Sequence, residues 1–410
     1  MTRSGPIGQR STPLRCCLSL VGSTALVSCV ACSSPHVGAA PGGSPDTGEE
    51  AGTPGGAGAN ANDGGVPESG SEGGAGVRWI GRVDLSSDAR PAFAWSGTGF
   101  VATVSGPTIS VSLTTTGSSD PVFFQPVIDG TPGSRFSIAD GNQTVTLASS
   151  LADGGHTVEL YRETEGRYGV STFQGFTDGT LQAPAPAPGR LIEVVGDSIT
   201  AGYGDLGSEE HPNGGPDPDG GCTFSTLTES AYVTYGAVAA RMLGADVSLI
   251  AVSGWGIYRD DENDTSNVLP AVYPDTLGLQ TSPSWSFQPE PQAVVINLGT
   301  NDFAMGDPGQ MPFESAYSAF VSTIRGKYPH TWIFCAVGPL LYGTSLTTAT
   351  SYIQDVVSSA QAQGDTKVQF LQFAEEDSSL GTGCQYHPNV AEHQAMATTL
   401  VAALQLALGW

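Results

Sequence analysis

Four residues, far apart in the chain, carry groups that together suit acyl transfer: Ser198, Gly254, Asn301 and His387. Ser198 stands in Leu191–Gly204, LIEVVGDSITAGYG, where an apolar run stops at Gly196-Asp197-Ser198-Ile199. A serine hydroxyl is too weak an acid to attack a carbonyl unaided and needs an adjacent base. His387, in Cys384-Gln385-Tyr386-His387-Pro388-Asn389, suits that role, because imidazole titrates near pH 6.5. The tetrahedral oxyanion needs fixed donors. The Ser198 N–H, the Gly254 N–H and the Asn301 side-chain amide supply three. Plainer readings exist for each. A serine after Gly-Asp is often a turn or helix cap, and Asn301-Asp302 would also serve to tie a loop.

The elements around these residues decide between the readings. Leu191–Val195 is short and apolar, as a buried parallel strand should be. Further strands are expected at Val247–Val252, Ala293–Leu298, Trp332–Val337 and Val368–Phe373. They alternate with helices over Ala231–Leu243, Phe313–Tyr328, Thr347–Gln363 and Val390–Leu408. Five strands alternating with helices specify a doubly wound, five-stranded parallel sheet in an α/β/α stack. Each candidate residue then follows a strand, on the carboxyl edge where such sheets place their sites. Ser253-Gly254-Trp255-Gly256 follows the second strand, Gly299-Thr300-Asn301-Asp302 the third, Gly338-Pro339 the fourth and His387 the fifth.

Residues 77–181 read as all-β. Alternating runs at 77–83, 91–95, 99–104, 108–113, 122–128, 143–147, 156–162 and 170–177 are split by turn signals such as Asp129-Gly130 and Asp153-Gly154-Gly155. That pattern suggests a two-sheet sandwich of jelly-roll type. Residues 182–189, QAPAPAPG, form a Pro-rich connector to the α/β domain at 190–410. Residues 33–76 hold almost no large apolar side chain and read as a disordered tether. Residues 1–32 read as an export signal: Arg3, Arg10 and Arg15, then an apolar run too short to span a bilayer. Leu26-Val27-Ser28-Cys29 resembles a bacterial lipobox, with Cys29 the lipid acceptor and Cys32 the alternative. The expectation is an exported chain, lipid-anchored at the cell surface or else freely secreted.

The 410 residues carry a net charge of −25, which disfavours nucleic acid as a partner and favours solubility. No His/Cys grouping has zinc spacing, and Asp205, Asp217 and Asp219 lack EF-hand spacing. They read as an exposed loop together with His211, and no metal or other cofactor is expected. His393 falls inside the last helix and reads as a packing residue. Trp285 and Trp332 adjoin strands and read as core. Past the signal region stand Cys222, Cys335 and Cys384. Cys335 is mid-strand and reads as buried and inert. Cys222 and Cys384 lie in loops on the Ser198 rim, and an exported setting permits a bridge between them.

The blocks GDSIT, the glycine of VSGWG, GTND and the HP segment resemble those of the SGNH (GDSL-type) hydrolases. The match narrows with "ARPAFAWSGTGF", "VIDG", "GGHTVELYRETEG" and "FQGFTDG", which precede "IEVVGDSITAGYG". These resemble carbohydrate esterase family 2 over roughly 77–410, and "SGWGIYRD", "VINLGTNDF" and "HPNVAEHQAMA" continue the likeness. The resemblance implies a jelly-roll coupled to an SGNH domain, an acetyl xylan esterase-like deacetylase acting on plant polysaccharide (xylan or mannan type), and a monomer without cofactor. One position departs from the superfamily. Cys384 stands where most SGNH enzymes place an aspartate, three residues before the histidine. Some members of the resembled family use a Ser–His dyad whose imidazole is oriented by a backbone carbonyl, which maps onto Gln385. Glu375, Glu376 and Asp377 remain alternatives for that task. A short-chain lipase or thioesterase, and a carbohydrate-binding surface lipoprotein with a dead hydrolase domain, are the competing functions. Tyr258 and Tyr342 follow rim loops and are candidate sugar platforms, with packing beneath their loops as the plain alternative.

Overall fold

The computed structural model describes residues 76–86, 90–209, 221–280 and 283–410. The signal, the lipobox cysteines Cys29 and Cys32, almost all of the expected tether, and His211, Asp217 and Asp219 lie outside them. Among the described residues, no helix is long and apolar enough to cross a membrane.

Among the described residues the N-terminal part comprises nine strands: β1 Val77–Ile80, β2 Ala92–Phe93, β3 Gly99–Thr116, β4 Val122–Ile128, β5 Thr131–Pro132, β6 Phe136–Ile138, β7 Gly141–Ser149, β8 Gly155–Arg162 and β9 Val170–Leu181. They form one continuous curled sheet. The cause is β3, an 18-residue strand that the sequence divides in two at Gly106-Pro107. Its first half pairs with β1, β8 and the end of β9, and its second half with β7 and the rest of β9. The ladder to β9 shifts register between Ser105 and Ser110, so the glycine and proline sit in an irregularity of a continuous strand. Phe93, Phe100, Phe124, Val158, Leu160 and Phe173 fill the space inside the curl.

The parallel sheet comprises β10 Leu191–Gly196, β11 Asp246–Ala251, β12 Ala293–Asn297, β13 Trp332–Val337 and β14 Val368–Gln372, in the order β11-β10-β12-β13-β14. The order reverses at β10, so its carboxyl end is the switch point where α/β sheets open a crevice. The helices are α1 Ser198–Ala201, α2 Tyr235–Leu243, α3 Leu269–Val272, α4 Gln310–Lys327, α5 Gly343–Ala362 and α6 Val390–Leu408. Alternation along β10 sends Ile192 and Val194 to the layer with α2 and α6, and Val195 to the layer with α4 and α5. Trp285 and Trp332 pack against these two cores, and Cys335 is buried and free.

Glu193 breaks the apolar run of β10 yet is buried on the α4 side. Arg82, from the segment after β1, reaches it at 3.2 Å, and Tyr273 donates its hydroxyl at 2.6 Å. A buried carboxylate needs this pairing, and the pairing joins the curled sheet to the parallel one.

Candidate active site

Ser198 opens α1, immediately past β10. Asp197 caps that turn, its Oδ1 accepting the Ile199 N–H at 3.0 Å. The cap points the Ser198 side chain out of the rim, where its Oγ lies 2.9 Å from His387 Nε2. His387 Nδ1 lies 3.2 Å from the Gln385 carbonyl oxygen. A neutral imidazole that donates from Nδ1 to that carbonyl has Nε2 free to accept the serine proton. Burial pushes the His387 pKa below its ordinary value, against the opposing pull of the Gln385 and Cys384 backbone groups. Burial also pushes the Asp197 carboxyl up, to about 7.

The carbonyl that orients His387 belongs to a residue in left-handed conformation. Gln385 has φ 53° and Tyr386 φ 58°, unusual for residues with side chains. Three contacts hold this turn. The Cys222–Cys384 disulfide ties it to the 221–225 loop, with Cα atoms 4.5 Å apart. Gly207 lies beneath the bridge, where a Cβ would meet Cys384 Sγ at 2.0 Å. The buried Glu209 carboxylate accepts the Cys222 N–H at 3.0 Å with one oxygen and the Gln385 N–H with the other.

The donors around Ser198 differ in readiness. The Ser198 and Gly254 N–H groups donate to no partner among the described residues. Gly254 has φ +83°, a conformation that favours glycine. The Asn301 amide donates to the Trp255 carbonyl at 3.0 Å and makes a longer contact, 3.4 Å, with Asp197 Oδ2. Its hydrogen toward Asp197 is the less committed of the two. The neighbouring Asp302 is the loop tie: its carboxylate accepts the N–H groups of Ile257, Tyr258 and Arg259 at 2.8–3.0 Å.

The alternative carboxylates serve elsewhere. Glu376 accepts the Tyr342 hydroxyl at 3.1 Å, Asp377 caps the turn Ser378–Leu380, and Glu375 is exposed. Asp205 corrects the sequence reading: it is buried, not in an exposed loop, and lies 4.0 Å from His393. His393 is buried too, and its Nδ1 accepts the Tyr235 N–H at 3.2 Å. Tyr258 is half-buried against the α4-side core, whereas Tyr342 is 48% exposed.

Several residues at the site escape sequence reasoning. Tyr203, five positions after Ser198, packs its ring 4.5 Å from the His387 ring and stacks on Phe224 at 3.9 Å. Tyr168 of the curled-sheet part continues the row at 6.3 Å. The GYG of the Ser198 stretch was the available signal for Tyr203. Glu209 and Phe224 carried none, since their neighbours give no periodicity.

The comparisons with known proteins cover both parts. Residues 79–188 match the family described as carbohydrate esterase 2 N-terminal, and residues 194–395 match the GDSL-like lipase/acylhydrolase family. The chain is 38% identical over 339 residues to the cellulase/esterase CelE of Acetivibrio thermocellus, covering 82% of this chain and 40% of that protein. It thus spans well under half the length of that relative. An acetylxylan esterase / glucomannan deacetylase of Cellvibrio japonicus is 28% identical, over 82% of this chain and 89% of its own length. A solved family two carbohydrate esterase from Clostridium thermocellum, in complex with cellohexaose, superposes with TM-score 0.76 at 37% identity, covering 82% of this chain and all of that one.

Proposed function

The chain belongs to carbohydrate esterase family 2, and we propose that it removes acetyl groups from plant cell-wall polysaccharide of the xylan or mannan type through a serine acyl-enzyme. The observation that carries this reading is the 2.9 Å approach of Ser198 Oγ to His387 Nε2, on a rim with two unengaged backbone N–H groups. The Cellvibrio relative, named an acetylxylan esterase and glucomannan deacetylase, supports the choice of polysaccharide.

The steps follow from the geometry. Ser198 Oγ attacks the acetyl carbonyl carbon as its proton passes to His387 Nε2. The Gln385 carbonyl steadies the resulting imidazolium through Nδ1–H. The oxyanion is held by the Ser198 and Gly254 N–H groups, with the Asn301 amide turning one hydrogen toward it. Collapse breaks the bond to the sugar oxygen, which takes the proton from Nε2. Water, deprotonated by His387, then attacks the acyl carbon; collapse breaks the bond to Ser198 Oγ, which takes the proton back from Nε2 as acetate leaves. None of these steps calls on a cofactor.

Export belongs to the same proposal, since the substrate lies outside the cell. Mass spectrometry of the processed N-terminus tests lipidation at Cys29 or Cys32; an unmodified start at Ser33 or beyond would oppose the anchor.

Acetate release from acetylated glucomannan and acetylated xylan, set beside hydrolysis of 4-nitrophenyl acetate and palmitate, tests the function. Release of acetate with little palmitate hydrolysis is expected. Preference for the long-chain ester would favour a lipase instead.

A further inference from the structure

The peptide that ends at the Gly254 nitrogen is gripped from the other domain. The Ser253 N–H donates to Glu165 Oε2 at 3.0 Å, and the Ser253 carbonyl accepts from Arg167 Nη2. Glu165 and Arg167 flank Gly166 on the short turn that follows β8, and they pair with each other at 3.1 Å. Both backbone groups of Ser253 are thus held by one ion pair of the curled-sheet part. Glu165 is itself anchored, its N–H donating to Glu229 Oε1 at 3.3 Å.

Planarity makes this grip consequential. The Ser253 C=O and the Gly254 N–H belong to one peptide unit and point in opposite directions across it. Whatever aims the carbonyl aims the N–H. That peptide would otherwise turn easily, because glycine populates positive and negative φ about equally. An oxyanion donor is useful only if it is fixed before the charge develops.

We propose that Glu165 and Arg167 are positioning residues for the oxyanion hole: by clamping Ser253 they hold the Gly254 N–H toward the reacting carbonyl. The inference rests on the serine esterase reading. It makes the curled-sheet domain part of the catalytic apparatus, whatever else that domain binds.

The alternative is that the contact only glues the two domains. Arg78–Asp246, like Arg82–Glu193, is an ion pair across that junction; it lies at the start of β11 and serves as the control. Arg167 is exposed, so its replacement opens no cavity in the core; Glu165 is buried, so Glu165→Gln is the mild change there. In the full chain, Arg167→Ala should lower kcat on 4-nitrophenyl acetate by roughly 10- to 100-fold with KM within about twofold, less than outright loss of an oxyanion donor. Arg167→Lys, which keeps one donor, should recover part of that loss, and Glu165→Gln should fall between. Phosphonylation of Ser198 by a 4-nitrophenyl phosphonate, whose oxygen takes the oxyanion position, should slow in parallel. Arg78→Ala should lower Tm without lowering kcat. If Arg167→Ala keeps kcat within twofold while losing Tm as Arg78→Ala does, the contact is glue and the inference falls. If Ser198→Ala stays active, the serine reading fails instead, and the two failures are distinct.

Discussion

His387 Nδ1 lies 3.2 Å from the carbonyl oxygen of Gln385, two residues earlier in the same loop. The proposed mechanism therefore has the imidazole oriented by its own backbone, in a turn held in left-handed conformation; among the described residues no side-chain carboxylate pairs with it. A peptide carbonyl fixes the tautomer and accepts the hydrogen bond, but it carries less negative charge to stabilise the imidazolium than a carboxylate would.

Replacing the nearby carboxylates one at a time should therefore cost little. Glu375→Ala, Glu376→Gln and Asp377→Asn should each keep kcat within about threefold. A triad aspartate replaced by asparagine costs about 10⁴-fold. A loss of that order in any of the three, measured on 4-nitrophenyl acetate, would reveal a carboxylate in the relay.

Glu209 should matter more than any of them, although it never touches His387. Its carboxylate holds the N–H groups of Cys222 and Gln385, and so the turn that presents the orienting carbonyl. Glu209→Ala leaves two part-buried donors unmet, a cost of at most about 1–3 kcal/mol each because water can reach them in part. Lower Tm together with about a tenfold fall in kcat is the expected outcome of calorimetry and steady-state assays. Unchanged kcat in a destabilised variant would confine Glu209 to folding.

The pH profile follows from the burial of His387. The base works only when Nε2 is unprotonated. Burial lowers its pKa, so the neutral form persists below the ordinary value of 6.5. Activity should rise with pH on the acid side, with a midpoint below 6.5. Asp197, lifted to about 7, titrates nearby. Asp197→Asn, which keeps a capping oxygen, should leave the midpoint in place. A midpoint above 6.5 in the free enzyme would contradict the assignment.

The two tyrosines should part company. Tyr258 packs on the core, so Tyr258→Ala should lower stability by about 1–3 kcal/mol and damage both activities alike. Tyr342 is exposed on the rim. Tyr342→Ala should weaken deacetylation of polysaccharide while sparing 4-nitrophenyl acetate, which has no sugar to stack. An unchanged ratio of the two activities would remove Tyr342 as a sugar platform.

The rim was legible because its groups lie on the connections that leave the carboxyl ends of the strands. Ser198, Gly254 and Asn301 sit just beyond β10, β11 and β12, His387 lies in the longer loop between β14 and α6, and the strands announce themselves as apolar runs. Glu209, Phe224 and the Glu165–Arg167 clamp were not legible. They reach the site through loop closure and domain contact, which leave no period in the sequence. Gly106-Pro107 misled for the opposite reason: its chemistry signals a break, but the irregular ladder absorbs it inside β3. Asp205 is similar, since a Gly-rich context reads as a loop even where burial follows.

The most direct test is the rate of 4-nitrophenyl acetate hydrolysis by Ser198→Ala, with the fold checked by circular dichroism. Loss of the nucleophile should lower kcat by several orders of magnitude, on the scale of about 10⁶-fold seen when a serine hydrolase loses its serine. A folded Ser198→Ala enzyme working within tenfold of the wild-type rate would contradict the account.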